Sequence, residues 1–189
     1  MDRIHIVRAQ DWSLELLVEG DIPSLQKLME HCGDYYEMVT GLPPGPSEAF
    51  STFMAAPDGY DYNEKFLAGV FDANGHIIGV VDAIPDYPVA SEWRLGLLLL
   101  DPDRRDQGWG AKVYQAFENW AVARGAHAVS LSVAEQNQRA IAFYRQQGFS
   151  DTGERRELKS FSHRTLFQIM KKQIENEASR PFGLTSWES

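Results

Sequence analysis

Residues 97–110 read Leu97-Leu98-Leu99-Leu100-Asp101-Pro102-Asp103-Arg104-Arg105-Asp106-Gln107-Gly108-Trp109-Gly110. The apolar run over 93–100 predicts a strand buried on both faces. Residues 108–124 predict a helix, because Val113, Phe117 and Trp120 recur at helical spacing and Gly125 stops the pattern. Gly108 and Gly110 permit close backbone approach at the turn between them. A helix that starts here leaves its first amides unpaired, and those donors with the positive end of the helix dipole make a cradle for phosphate. Arg104 and Arg105 add positive charge beside it. The stretch is not a Walker loop, since no Gly-Lys-Ser/Thr follows, and not a dinucleotide fingerprint, since Val113 stands where a third glycine is needed.

Outward from this segment the pattern keeps alternating. Asp72-Ala73-Asn74-Gly75 is a hairpin turn, with strands expected over 65–71 and 76–83. A strand over 13–19 and a helix ending near Cys32 precede it. Gly41-Leu42-Pro43-Pro44-Gly45-Pro46 forces a loop, and Ser47 opens a short helix to about residue 55. After Gly125 come a strand over 128–133, a helix over 136–147 stopped by Gly148, and strands over 149–158 and 164–172. The order β–α–α–β–β–β–α–β–α–β–β predicts an α/β sheet with helices on both faces. Residues 1–174 read as one domain. Residues 175–189 lose periodicity and read as a tail, whose Phe182 and Trp187 are its candidates for docking.

Composition narrows the function. The 189 residues carry 18 basic and 27 acidic side chains, net −9, which argues against nucleic-acid partners and anionic membranes. Three of the basic and ten of the acidic side chains fall in the first 60 residues; this front reads as solvated surface, or as attraction for a cationic acceptor. No stretch approaches the roughly 20 apolar residues of a membrane span. The start, MDRIHIVRAQDW, has no apolar signal core, and Cys32 is the single cysteine, so neither a disulfide framework nor a cysteine zinc site is expected. The expected compartment is the cytoplasm.

A second segment, Asn137-Gln138-Arg139-Ala140-Ile141-Ala142-Phe143-Tyr144-Arg145-Gln146-Gln147-Gly148-Phe149, follows the first at a distance that leaves room for one helix and one strand. Arg-x-x-Gly-x-Gly after strand–Asp–Pro resembles the acyl-coenzyme A pyrophosphate loop of the GNAT N-acetyltransferase superfamily. The second segment is similar to that superfamily's Asn-x-x-Ala-x-x-x-Tyr-x-x-x-Gly-Phe helix. The resemblance covers residues 65–173 well and 1–64 loosely. It implies a mixed, splayed central sheet of about seven strands with helices on both faces, and acetyl-CoA as co-substrate without a metal. It further implies that Leu98, Leu99 and Leu100 offer backbone groups to the pantetheine arm. Amides of Arg105, Asp106, Gln107, Gly108, Trp109 and Gly110 would hold the pyrophosphate. Asn137 would bond the pantetheine or stand at the rim of the splayed strands. Tyr144 would lie near the thioester sulfur.

Chemistry supports that last role. A thiolate leaving group benefits from a general acid, and a phenol has comparable basicity. For the base, strict alternation would put Glu92, Arg94, Gly96, Leu98 and Leu100 on one strand face. Arg94 stands where some superfamily members carry a glutamate, which leaves Glu92 as the candidate, with a water chain or a merely solvated carboxylate as the other readings. The acceptor is expected at Asp34, Tyr35, Tyr36 and Tyr87, which sit in loops and would clamp an amine by charge and cation–π contact, or simply pack. The expected reaction is direct acetyl transfer from acetyl-CoA to a small-molecule primary amine, with Tyr144 as acid. The alternatives are a protein acceptor (lysine or N-terminal amine) and a non-catalytic acyl-CoA sensor. A homodimer through the last strands and a monomer are both open.

Overall fold

The structure is a computed structural model that describes residues 4–160 and 163–174. The expected tail at 175–189, with Phe182 and Trp187, lies outside the described residues. Among these residues eight strands form one sheet: β1 (His5–Arg8), β2 (Trp12–Leu16), β3 (Phe66–Asp72), β4 (Ile77–Ile84), β5 (Glu92–Leu100), β6 (Ala128–Ala134), β7 (Ser150–Ser160) and β8 (His163–Gln173). Their order is β1-β2-β3-β4-β5-β6-β8-β7. Five α-helices among the described residues accompany them: α1 (Ile22–His31), α2 (Gly33–Thr40), α3 (Glu48–Met54), α4 (Trp109–Val122) and α5 (Gln138–Gln146). The strand beyond the seven expected is β1, four residues long and held by antiparallel pairing with β2. The helix not expected is α2, so Asp34, Tyr35 and Tyr36 stand on a helix and not in a loop.

Two apolar layers flank the sheet. Under α4 and α5 lie Val70, Val81, Trp93, Leu95, Val113, Phe117, Leu131 and Ile141. Under α1 to α3 lie Leu25, Met29, Cys32, Tyr36, Leu67, Val80 and Leu99. Both faces are covered, which is why β3 and β4 are almost wholly apolar.

The sheet opens at its middle. Strands β5 and β6 are parallel and pair only from Glu92↔Ala128 to Leu95↔Leu131, although both run on past that point. On its other side β5 stays paired with β4, but the register skips from Ala83↔Leu95 to Asp82↔Leu97. Gly96 is therefore a bulge, a place where glycine is commonly found in a strand. The bulge reverses the facing of everything after it. Trp93 and Leu95 belong to the α4 layer together with Leu98 and Leu100, whereas Leu97 and Leu99 belong to the α1 layer. Strict alternation fails for this reason: Glu92 and Arg94 do not share a face with Leu98 and Leu100.

Candidate active site

The opening between β5 and β6 is a cavity of about 640 Å³. It is lined by residues 95–100 of β5 and 131–134 of β6, and by residues of α2, α5 and the start of α4. Over 96–100 the edge of β5 that faces β6 has no strand partner among the described residues. Backbone donors and acceptors left in this way are a template for an extended ligand, as at any unpaired strand edge. Leu98, Leu99 and Leu100 all line the cavity.

At the end of β5 the chain makes the expected turn. Asp106 (φ 60°) and Gly108 (φ 80°) both take left-handed conformations, and Gly108 precedes the first residue of α4. The first helical amide with a carbonyl one turn back belongs to Lys112, which donates to Gly108 O at 3.3 Å. The amides of Trp109, Gly110 and Ala111 are thus the open end of the helix. Gly110 lies against Phe143 of α5, where an added Cβ would come within 3.2 Å of the ring.

Two ion pairs span the mouth. Arg105 chelates Asp34 of α2 with both guanidinium nitrogens, while its Nε donates to Leu100 O at 3.0 Å. The Arg105 guanidinium holds the Asp34 carboxyl below the usual carboxylate range. Arg139 of α5 pairs with Asp106 at 2.8 Å. Arg104 points elsewhere, toward Asp72 at 4.0 Å. Asn137 lines the cavity while its side chain caps α5, accepting from Ala140 N at 3.0 Å.

Tyr144 stands on the cavity wall with its ring fixed edge-on against Phe143 (5.1 Å) and Phe149 (5.5 Å). Burial pushes its phenol pKa up, and the nearby Tyr35 phenol adds to the rise. A phenol so held remains protonated at neutral pH and is a donor.

The other expected residues divide. Asp34 and Tyr35 line the cavity. Tyr36 is buried in the α1 layer, edge-on to Tyr35 at 5.2 Å, and Tyr87 lies outside the lining. Gln107 and Trp109 also lie outside it: the Gln107 amide donates to Asp103 O at 2.7 Å, and Trp109 packs edge-on against Trp12 at 5.9 Å. Glu92 is not brought to the cavity. It sits on the paired part of β5, 6% exposed, with Lys171 Nζ at 2.5 Å. Burial raises its pKa, but the hydrogen bond and charge of Lys171 outweigh burial and leave it lowered. Cys32 donates to Leu100 O at 3.4 Å, and burial pushes its thiol up to about 11, so it is not a nucleophile.

Three features escaped the sequence reading. The C-terminal end of α2 bridges the cleft: His163 Nε2 lies 3.1 Å from Met38 O, Gln136 Nε2 donates to Met38 O at 3.0 Å, and Thr165 Oγ1 donates to Val39 O at 2.8 Å. Arg94 is half-buried and donates to Ser132 of β6. Asp82 of β4 pairs with Lys65 beside Gly96. A carboxylate inside the apolar run Ile77-Ile78-Gly79-Val80-Val81-Asp82-Ala83-Ile84 was the signal for it.

Known proteins supply the comparison. The acetyltransferase (GNAT) family profile matches residues 26–149. An uncharacterized N-acetyltransferase, YhfO, of Bacillus subtilis is 27% identical over 95 residues, a match that spans 48% of this chain and 64% of that protein. The spermidine N-acetyltransferase of Vibrio cholerae, solved with CoA and spermine, superposes with a TM-score of 0.68 at 18% identity, covering 88% of this chain and 96% of that one. The ribosomal-protein-S18-alanine N-acetyltransferase of Escherichia coli superposes with a TM-score of 0.66 at 18% identity, covering 90% and 99%. At such identities the superpositions establish the fold, and the profile, spanning most of the chain, establishes the lineage: the chain belongs to the acetyltransferase (GNAT) family.

Proposed function

We propose that the protein transfers an acetyl group from acetyl-CoA to a primary amine of a small molecule. One observation carries this reading. The unpaired edge of β5, the glycines at the open start of α4 and the Tyr144 phenol all face one cavity. That cavity combines helix-start donors suited to a pyrophosphate with a phenol suited to protonating a departing thiolate.

The residues present fit the co-substrate. Amides at the start of α4, with Arg105, would hold the pyrophosphate. The backbone of Leu98, Leu99 and Leu100 would pair with the pantetheine amides as an added strand. Bound acetyl-CoA supplies an acyl group activated as a thioester. Tyr144 donates its proton to the departing sulfur, and its tight ring packing keeps the hydroxyl from wandering. No covalent enzyme intermediate is needed, and none of the cavity side chains is an activated nucleophile.

The small acceptor is supported by α2. A polypeptide needs an open trough, and here the α2 carbonyls are bonded to β8 and to Gln136 across the cleft. The test is calorimetric titration with acetyl-CoA, then thiol release over polyamines, aminoglycosides, amino acids and lysine peptides. Tyr144→Phe is expected to lower kcat by about 100-fold with acetyl-CoA affinity unchanged. Absence of acetyl-CoA binding to the wild type would sink the reading. Unchanged turnover in Tyr144→Phe would remove only the acid.

A further inference from the structure

Arg94 is a half-buried cation whose hydrogen-bond partner is neutral. It lies on β5 between Trp93 and Leu95, which belong to the α4 layer, so its side chain emerges on the other face of the sheet. There it leans along the strand. Its register partner on β6 is Ser130, but Nη2 donates to the hydroxyl of Ser132, further on. Ser132 lies just past the last pair, Leu95↔Leu131, and it lines the cavity. The guanidinium is thereby laid across the point where β5 and β6 part. Within β6, Ser132 alone is not fully buried.

This charge is unmatched. A cation taken partly out of water is costly unless an acid pairs with it. Among the described residues Arg94 has no carboxylate within ion-pair distance and no hydrogen bond besides that to Ser132. The acids whose charge it feels most, Glu154 and Glu92, are held by Arg156 at 3.0 Å and Lys171 at 2.5 Å. Burial, with the charge of Arg156, disfavours the Arg94 cation more than those acids favour it. At the mouth, by contrast, Arg105 has Asp34 and Arg139 has Asp106. The Arg94 fork is nonetheless open: Nε and Nη1 have no partner among the described residues, and neither is sealed from solvent. Ser132 accepts from Arg94, so its hydroxyl keeps a proton to donate.

Building on the acetyl-transfer reading, we infer that the acceptor is an amino acid: its carboxylate lies in the Arg94 fork and against the Ser132 hydroxyl, and its amine goes to the thioester. A guanidinium meets a carboxylate at two points, which fixes orientation as well as charge. The site takes a single negative charge, because Lys171 and Arg156, which could balance a second, are already paired. Arg94 is not placed for a phosphate of CoA. The cradle follows Leu100, about 20 Å further along β5, and α4 covers the opposite face. Met38, Val39, Leu97 and Phe167 give the cavity an apolar lining, which suits an apolar side chain on the acceptor.

The experiment uses the full chain and two matched pairs of probes that differ only in the carboxylate: L-leucine against 3-methylbutylamine, and 5-aminopentanoate against n-butylamine. O-phosphoethanolamine and spermidine complete the panel. Thiol release with acetyl-CoA gives kcat/KM. Calorimetry on the CoA-bound protein gives the affinity for 4-methylpentanoate, which is leucine without its amine. At least one amino acid is expected to exceed its partner amine by about 10- to 100-fold in kcat/KM, chiefly through KM, and 4-methylpentanoate should bind saturably. In Arg94→Gln that preference should collapse toward one and 4-methylpentanoate binding should be lost. Glutamine keeps a donor for Ser132, and an unchanged CoA affinity shows that the variant folds. Arg94→Lys, which keeps the charge without the fork, should retain part of the preference. An amino acid no better than its partner amine in both pairs, a preference intact in Arg94→Gln, or a higher kcat/KM for O-phosphoethanolamine or spermidine overturns the assignment. Should no amine turn over, absence of 4-methylpentanoate binding overturns it equally. Failure of the wild type to bind CoA would instead overturn the acetyl-transfer reading beneath it.

Discussion

Asp82 leaves a mark on stability that can be read without any substrate. Its carboxyl rises from an ordinary 3.8 to about 6 in the folded chain, because burial disfavours the anion more than Lys65 favours it. The fold therefore prefers the protonated form. The stability this gives is complete below the unfolded value and is lost as pH climbs through the folded one. A gap of that size amounts to about 3 kcal/mol at about 1.4 kcal/mol per pH unit, of which about 2 kcal/mol is lost between about pH 4.5 and about pH 7. Asp82→Asn cannot titrate, so subtracting its curve isolates the effect from every other acid. Urea unfolding of both proteins, followed by the fluorescence of Trp93 and Trp120 beside the core, supplies the curves. The expected result is a wild-type stability that falls relative to Asp82→Asn as pH rises over this interval. Parallel curves, or a difference of the opposite sign, would mean that Lys65 holds the carboxylate fully charged.

Two more outcomes are expected at the mouth. Asp34→Asn should release Arg105 and tighten CoA binding by about two- to fivefold, the worth of an exposed ion pair, with the gain shrinking as salt is added; calorimetry at two ionic strengths checks it. Gly108→Val should cost about 1–3 kcal/mol, because the residue sits at φ 80°, and should weaken CoA binding by moving the first amides of α4; wild-type affinity would contradict the cradle.

Much of this was legible in local patterns. The loop at 101–110 declares itself through Asp-Pro and two glycines, and α4 and α5 through apolar spacing and terminal glycines. Asn74-Gly75 placed its hairpin within a residue of where it stands. What escaped depends on contacts between distant residues. Helix α2, Gly-Asp-Tyr-Tyr-Glu-Met-Val-Thr, has little helical propensity and is held by burying Tyr36 and Val39 and by bonds to β8. Glu92 reads as a strand-end carboxylate until Lys171, 79 positions later, comes to pair with it. The bulge was announced by a glycine inside a strand, but only the register with β4 shows that it turns Leu98 and Leu100 to the other face.

The stitching of α2 to β8 also has a bearing on how the molecule comes into being. Met38 meets His163, and Val39 meets Thr165, across 125 and 126 positions of chain. Strand β8 is the last described, yet it lies inside the sheet, between β6 and β7. A nascent chain that has emerged from the ribosome only as far as α5 can carry the phosphate cradle and Tyr144, but its β6 has a bare edge and its cleft has no ceiling. Closure waits for the hairpin of β7 and β8 to dock as a unit. Such late, long-range contacts are slow to form. Among the described residues, the bonds that roof the cleft therefore form after the turn at 101–110 and α4 are already in place.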